Sequence, residues 1–223
     1  MKAGRILLLV FGVLVLLTGA VLIFSGGALL WVNSALMDRE GFYTTNAVRL
    51  EKDSYAIVTE PAHTDLRAGL IWDWGDLTTI KVECSSNDLA KQIFAGVVKE
   101  SDLKAYLSDV EYDEISNWLN LSRADYIHHL GNSEPAAPTS ETFWVESTHG
   151  AGTQTLEWDV KTGSYSLVLM NDDGSADVDV SVALGVKVPL VAGIGTGLLI
   201  AGPVVLIIGI MMVYLAARRP RIL

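Results

Sequence analysis

The densest group of potential ligands in this 223-residue chain is Asn171-Asp172-Asp173-Gly174, with Asp177 and Asp179 just downstream. Side-chain oxygens at alternate positions around a glycine are how a calcium loop is built. Aligning Gly174 with the invariant glycine of an EF-hand loop puts the first ligand on Leu169, which has no side-chain oxygen. The flanks also read as strands rather than helices. Two readings stay open: a non-EF cation site of Asn171, Asp173, Asp177 and Asp179, or a tight hairpin. The hairpin is the simpler, because Asn and Asp-Gly tolerate the positive φ of such turns.

The other chemistry-bearing residues are thinner. His128 and His129 are adjacent on a strand-like stretch, so their rings point to opposite faces. Two ligands on one strand favour i, i+2, and His63 and His149 are distant, so no metal centre is expected. Trp72 and Trp74 share a face in Ile71-Trp72-Asp73-Trp74-Gly75-Asp76. Exposed, they would form a stacking platform for a sugar or cationic group; buried, they are core. Carboxylate pairs such as Asp73/Asp76 or Asp113/Glu114 resemble glycosidase acids, but an acidic chain offers such pairs by chance. The sole cysteine, Cys84, excludes an intramolecular disulfide and a Cys-pair metal site. It shares the apolar face of Thr79 to Ser85 with Ile80 and Val82, so it reads as buried. Asn120-Leu121-Ser122 is a formal glycosylation acceptor. No catalytic or cofactor motif is present, and the chain is not read as an enzyme.

These residues sit on period-2 patterns. Thr79 to Ser85, Thr155 to Val160 and Asp177 to Leu184 alternate apolar with polar, whereas Ile93 to Val98 and Tyr165 to Met170 are apolar on both faces and read as central strands. Weaker strands are 47–50, 55–58, 112–119, 126–130 and 143–147. Leu103, Tyr106, Leu107 and Val110 recur at helical spacing behind Ser101 as N-cap. The implied fold is a two-sheet antiparallel sandwich, jelly-roll or Ig-like, with one short helix.

Two long uncharged stretches frame this domain, Ile6 to Val32 and Val188 to Ala217. As helices, both exceed a bilayer's hydrocarbon core of roughly 30 Å. The division is a tail 1–5, a transmembrane helix 6–32, a domain 33–187, a second transmembrane helix 188–217 and a tail 218–223. The first apolar run is longer than a signal-peptide core and lacks a clear cleavage site, so it reads as an uncleaved anchor. Of the 16 basic residues, Lys2, Arg5, Arg218, Arg219 and Arg221 lie in the tails, and none of the 26 acids does. Basic flanks stay cytoplasmic, so both termini are expected there and the domain across a plasma membrane. The domain keeps 11 basic residues against all 26 acids, a balance that repels nucleic acid.

Neither span carries an ionisable residue, which argues against transport by this chain alone. The second span holds Gly193-x-x-x-Gly197-x-x-x-Ala201, a ridge that lets helices approach closely. It predicts packing between the spans, a homo-oligomer or a membrane-protein partner. Pro203 should kink this span.

Phe143-Trp144, the run Gly150-Ala151-Gly152-Thr153-Gln154-Thr155-Leu156-Glu157-Trp158, and Gly163 to Ser175 resemble a pattern in uncharacterised two-span membrane proteins, mostly of actinobacteria and related prokaryotes. Phe94 to Val98, Asp102, Tyr106 to Val110 and the second span with its basic tail carry the same resemblance. It implies a prokaryotic plasma membrane and a β-rich extracytoplasmic domain, and brings no catalytic residue or cofactor. The expected function is a membrane-anchored binding or assembly module, an accessory subunit of an envelope complex. The alternative is an extracytoplasmic hydrolase of glycans or peptides using Asp73, Asp76 or His149, or a small-ligand-binding domain.

Overall fold

The computed structural model describes residues 3–63, 78–116 and 124–218, and the chain divides into two units. One is Met1–Met37 with Pro189–Leu223; the other is Asp38–Val188.

The first unit is a helix pair, α1 (Ala3–Leu36) and α3 (Pro189–Ala217), of 34 and 29 residues. At 1.5 Å per residue these run about 51 and 44 Å. Both are apolar on every side, and only 11 % of the most apolar stretch of each is buried. A helix at the centre of a soluble protein would be mostly covered. The buried positions are glycines at seven-residue intervals, Gly12, Gly19 and Gly26 of α1 and Gly195, Gly202 and Gly209 of α3, followed by Ala216. Pro203 lies inside α3.

The second unit is mainly β, with two sheets. The five-stranded sheet contains β1 (Tyr43–Thr44), β2 (Val48–Lys52), β5 (Thr79–Ser86), β10 (Thr153–Asp159) and β12 (Val178–Lys187). Its order is β1-β12-β5-β10, with β2 also on β12. The seven-stranded sheet contains β3 (Ala56–Thr59), β4 (Ala62–His63), β6 (Ile93–Lys99), β7 (Tyr112–Ser116), β8 (Asp125–His129), β9 (Glu146–Gly150) and β11 (Ser164–Asn171). Its order is β8-β7-β3-β11-β6-β9, with β4 on β11.

Alternation explains the main core. Leu50, Val82, Cys84, Leu156, Val180 and Val182 of the five-stranded sheet meet Ile57, Ile93, Ala95, Val97, Ile115 and Leu169 of the other. The seven-stranded sheet is covered on its second face too. There Ala56, Val58, Val98, Val168 and Met170 lie under Leu103, Leu107 and Val110, beside Tyr106, Phe143 and Trp144. This double burial is why β6 and β11 carry apolar residues on both faces.

Three expectations need correction. β3 and β7 pair in parallel, so the domain is not purely antiparallel. The cause is the helix α2 (Glu100–Tyr106), which returns the chain along the outer face of the sheet between β6 and β7, as a parallel neighbour requires. The helix begins two residues earlier than read, with Lys99 at the N-cap and no side-chain cap, so Ser101 does not cap it. Asn171-Asp172-Asp173-Gly174 is not a hairpin: β11 and β12 belong to different sheets, and the turn carries the chain across the core from one to the other.

Candidate functional site

A concavity of about 440 Å³ in the β domain lies beside α2. Leu103 and Leu107 anchor the helix to the sheet, which leaves Asp102, Ala105 and Tyr106 along the groove. Its other wall is the loop 131–143, held by Asp109. The Asp109 carbonyl accepts from the backbone N–H groups of Asn132 and Ser133, both at 2.8 Å. Its carboxylate accepts from Asn132 Nδ2 at 3.1 Å and Ser133 Oγ at 2.9 Å. Those side-chain bonds hold its pKa below the ordinary range. Asp109 is itself left-handed (φ 63°), a conformation that Asp tolerates better than most residues. The Tyr106 hydroxyl donates to the Ala136 carbonyl at 2.6 Å, and Trp144 Nε1 donates to the Pro138 carbonyl at 2.8 Å. Tyr106, Phe143, Trp144 and Phe94 form one aromatic cluster with centroids 4.7 to 5.8 Å apart. Burial, and secondarily the charge of Glu141, push the Tyr106 phenol upward, so it stays a neutral donor.

The groove therefore has aromatic and aliphatic walls and three carboxylates, Asp102, Glu134 and Glu141. Its described lining has no lysine, arginine, histidine or cysteine. Such a surface suits a cationic group, by charge and by the ring faces.

The acidic turn distributes its groups elsewhere. Asn171 Nδ2 donates to the carbonyls of Ser175 and Ala176, at 2.9 and 2.8 Å. Lys91 Nζ donates to the carbonyls of Ala176 and Asp177, at 2.6 and 3.2 Å. Asp173 accepts from the Ser175 N–H at 2.9 Å, which lowers its pKa. Asp179 takes the Arg49 guanidinium on both oxygens, at 2.9 and 2.6 Å, and Asn87 at 2.7 Å. Of the candidate ligands, Asp179 thus already faces a guanidinium, and the backbone carbonyls of Ala176 and Asp177 face an ammonium. Among the described residues no three His, Cys, Asp or Glu gather as a metal set.

The histidines are dispersed. His128 lies between Glu111 and Asp113, at 3.3 and 3.4 Å. His129, on the opposite face, stacks on Tyr112 (4.3 Å, 7°) and meets Glu114 at 2.9 Å. His63 and His149 lie on β4 and β9. Trp72, Trp74, Asp73, Asp76 and Asn120 fall outside the described residues.

Two features escaped the sequence reading. Lys81 alternates outward on β5 yet is only 2 % exposed, because the segment 38–44 folds over it. Its ammonium meets Asp38, Glu40 and Glu83 at 3.0, 2.9 and 3.1 Å and sits 4.7 Å above the buried Phe42 ring. Burial opposes that charge, but the bonds to Glu40, Asp38 and Glu83 outweigh it and raise the pKa. The Asp38 carboxyl is held far below its usual range, chiefly by the Phe42 N–H and next by Lys81. The only signal was the acid spacing Asp38-x-Glu40 after the first apolar run.

The second is which residues form the helix seam. A Cβ on Gly19 would lie 2.5 Å from the Leu206 nitrogen, and one on Gly209 2.5 Å from that of Leu16. On Gly26 it would lie 2.8 Å from the Gly195 carbonyl oxygen, and on Gly202 2.9 Å from the Ile23 nitrogen. The backbones therefore touch through interlocking seven-residue glycine rows. Gly193 and Gly197 have nothing within 4 Å of a built Cβ, and Ala201 is exposed, so this row does not form the intrachain seam. The Arg5 guanidinium donates to the Arg218 carbonyl where the pair ends.

No protein-family model matches the chain, and no curated protein matches it in sequence.

Proposed function

We propose that this chain is a membrane-anchored binding and assembly module of a prokaryotic plasma membrane. Both termini are cytoplasmic and the β domain, a sandwich of the jelly-roll or Ig-like kind, is extracytoplasmic. The observation that carries the reading is the pair of apolar helices, each long enough to span and 11 % buried in its most apolar stretch. Such a surface is stable only against lipid or other apolar helices. The basic residues of both tails supply the orientation. The resemblance to two-span actinobacterial-type proteins supports the same compartment.

Within this reading the groove beside α2 is the recognition surface, and it takes a cationic segment of an envelope partner. Charge complementarity selects that occupant: Asp102, Glu134 and Glu141 face a lining without a basic side chain. The row Gly193, Gly197 and Ala201, left open by the intrachain seam, is the face for a partner's helix or a second copy.

The test is mild-detergent affinity purification of the tagged chain from its host, beside an Asp102→Asn/Glu134→Gln/Glu141→Gln variant. A partner that co-purifies with the parent, dissociates with added salt and is lost from the variant supports the reading. Identical partners with identical salt dependence from both chains would remove the groove from it.

A further inference from the structure

The edges of the two sheets are not equally guarded. On one side β9 and β10 are joined by Ala151-Gly152, and Thr148 Oγ1 donates to Gln154 Oε1 at 3.2 Å. On the other side of the five-stranded sheet β1 has only two residues, and β2 carries Arg49, Glu51 and Lys52. Short length and long charged side chains are common defences of a sheet edge against pairing with another chain. β8 forms the corresponding edge of the seven-stranded sheet, with five residues and no lysine, arginine or proline. Among the described residues it pairs with β7 alone. Ile127 at its centre is 52 % exposed, and Leu130 just past its end is 84 % exposed.

The residues of β8 restrict what can pair there. In an antiparallel pair, opposed residues share a face and make the same kind of backbone pair. Matching all five residues of β8 with all five of a copy leaves one register, centred on Ile127. It sets Ile127 against Ile127 of the second copy, Asp125 against His129, and Tyr126 against His128. Leu130 then meets Ala124. An acid faces a histidine, two apolar side chains meet, and no like charges are opposed, so the strand is its own complement. Elsewhere copies of this domain repel, with 26 acids against 11 basic residues. On β7 the carboxylates Glu111, Asp113 and Glu114 are met by His128 and His129, at 2.9 to 3.4 Å.

We propose that the β domain dimerises by antiparallel addition of β8 to β8 of a second copy, so that one sheet runs through both chains. Main-chain hydrogen bonds supply the affinity and the paired side chains set the register. This surface shares no residue with the groove beside α2 or with the row at 193, 197 and 201.

The experiment uses membranes carrying the full chain, oxidised with copper phenanthroline and read on non-reducing gels. Opposed residues lie about 4.5 or 5.5 Å apart, both within the roughly 4.4–6.8 Å reach of a disulfide. Ile127→Cys should therefore form a covalent dimer about tenfold faster than Leu89→Cys, a fully exposed position away from β8 that cross-links only by collision. Asp125→Cys and His129→Cys should each stay monomeric alone, because like positions stand about 14 Å apart. Co-expressed, they should link to each other. Buried Cys84 does not compete. Absence of an Ile127→Cys dimer, a rate equal to that of Leu89→Cys, or equal self-linking of Asp125→Cys overturns the proposal. So does a disulfide from Ile127→Cys to a different protein in place of the dimer, which would make β8 the docking strand for a partner. Ile127 is at the surface, so the deciding variant does not disturb the core.

Discussion

Replacing Gly19 with alanine should loosen the helix pair, whereas the same change at Gly27 or Gly197 should not. The new Cβ at position 19 would stand 2.5 Å from the Leu206 nitrogen and 2.8 Å from its Cα and Cβ. Ordinary contact is about 3.5–4.0 Å, so the helices must part by about 1 Å. Backbone atoms cannot swing aside as a side-chain end would. The displacement propagates, because Gly12 and Gly26 lie on the same row, where an added Cβ would meet α3 within 3.0 Å. A gap of that size forfeits up to half of each dispersion contact. With overpacking at typically 1–3 kcal/mol, the expected loss is about 2 kcal/mol. Gly27 and Gly197 have nothing within 4 Å, so alanine there changes only helix propensity, a term common to all three variants. The assay is energy transfer between dyes on the two helices in bicelles, titrated with SDS. The midpoint should fall for Gly19→Ala relative to both controls. Equal midpoints, or a larger fall for Gly197→Ala, would refute the seven-residue seam.

Lys81→Met should destabilise the β domain by about 2–3 kcal/mol in urea unfolding, because it removes three charge-assisted bonds from a group 2 % exposed and leaves three acids crowded. Stability should also follow pH at this cluster. Asp38 is depressed, so its contribution is complete above about pH 4 and is lost as pH falls; Lys81 is raised, so its contribution is complete below about pH 10 and is lost as pH rises further. Asp38→Asn should flatten the acid limb of a melting-temperature profile. Burial pushes the Cys84 thiol up to about 12, so maleimide should modify it only after denaturation; labelling of the folded protein at pH 7 would contradict its placement. Millimolar calcium should leave the melting temperature unchanged, since Arg49 already occupies both Asp179 oxygens and Lys91 the carbonyls of Ala176 and Asp177; a rise of several degrees would refute that reading.

Much of the β domain was legible wherever one or both faces of a strand are buried. The alternation in Thr79 to Ser85 and Asp177 to Leu184 marks β5 and β12, and the continuous apolar run Ile93 to Val98 marks β6, because period 2 reports burial directly. Sheet membership was not legible. Asn-Asp-Asp-Gly encodes a chain reversal through its tolerance of positive φ, and a reversal serves a crossing between sheets as well as a hairpin. The parallel β3–β7 pair depends on where α2 carries the chain, which is a tertiary matter. Lys81 shows the limit of alternation: its face is outward, and only the fold of 38–44 buries it. The helix seam was written in the sequence twice, with period four at 193, 197 and 201 and period seven at 195, 202 and 209. Only the matching period-seven row of α1 distinguishes them, since a seam needs small residues on both sides.

The central claim is a β domain held outside the membrane by two spans whose ends both face the cytoplasm. It is tested most directly by labelling intact cells with a membrane-impermeant maleimide. Leu89→Cys, at a fully exposed position of the β domain, is compared with a cysteine appended after Leu223. The account predicts that the first labels in intact cells and the second only after permeabilisation. Labelling of the appended cysteine from outside, or recovery of the chain in the soluble fraction, would contradict it.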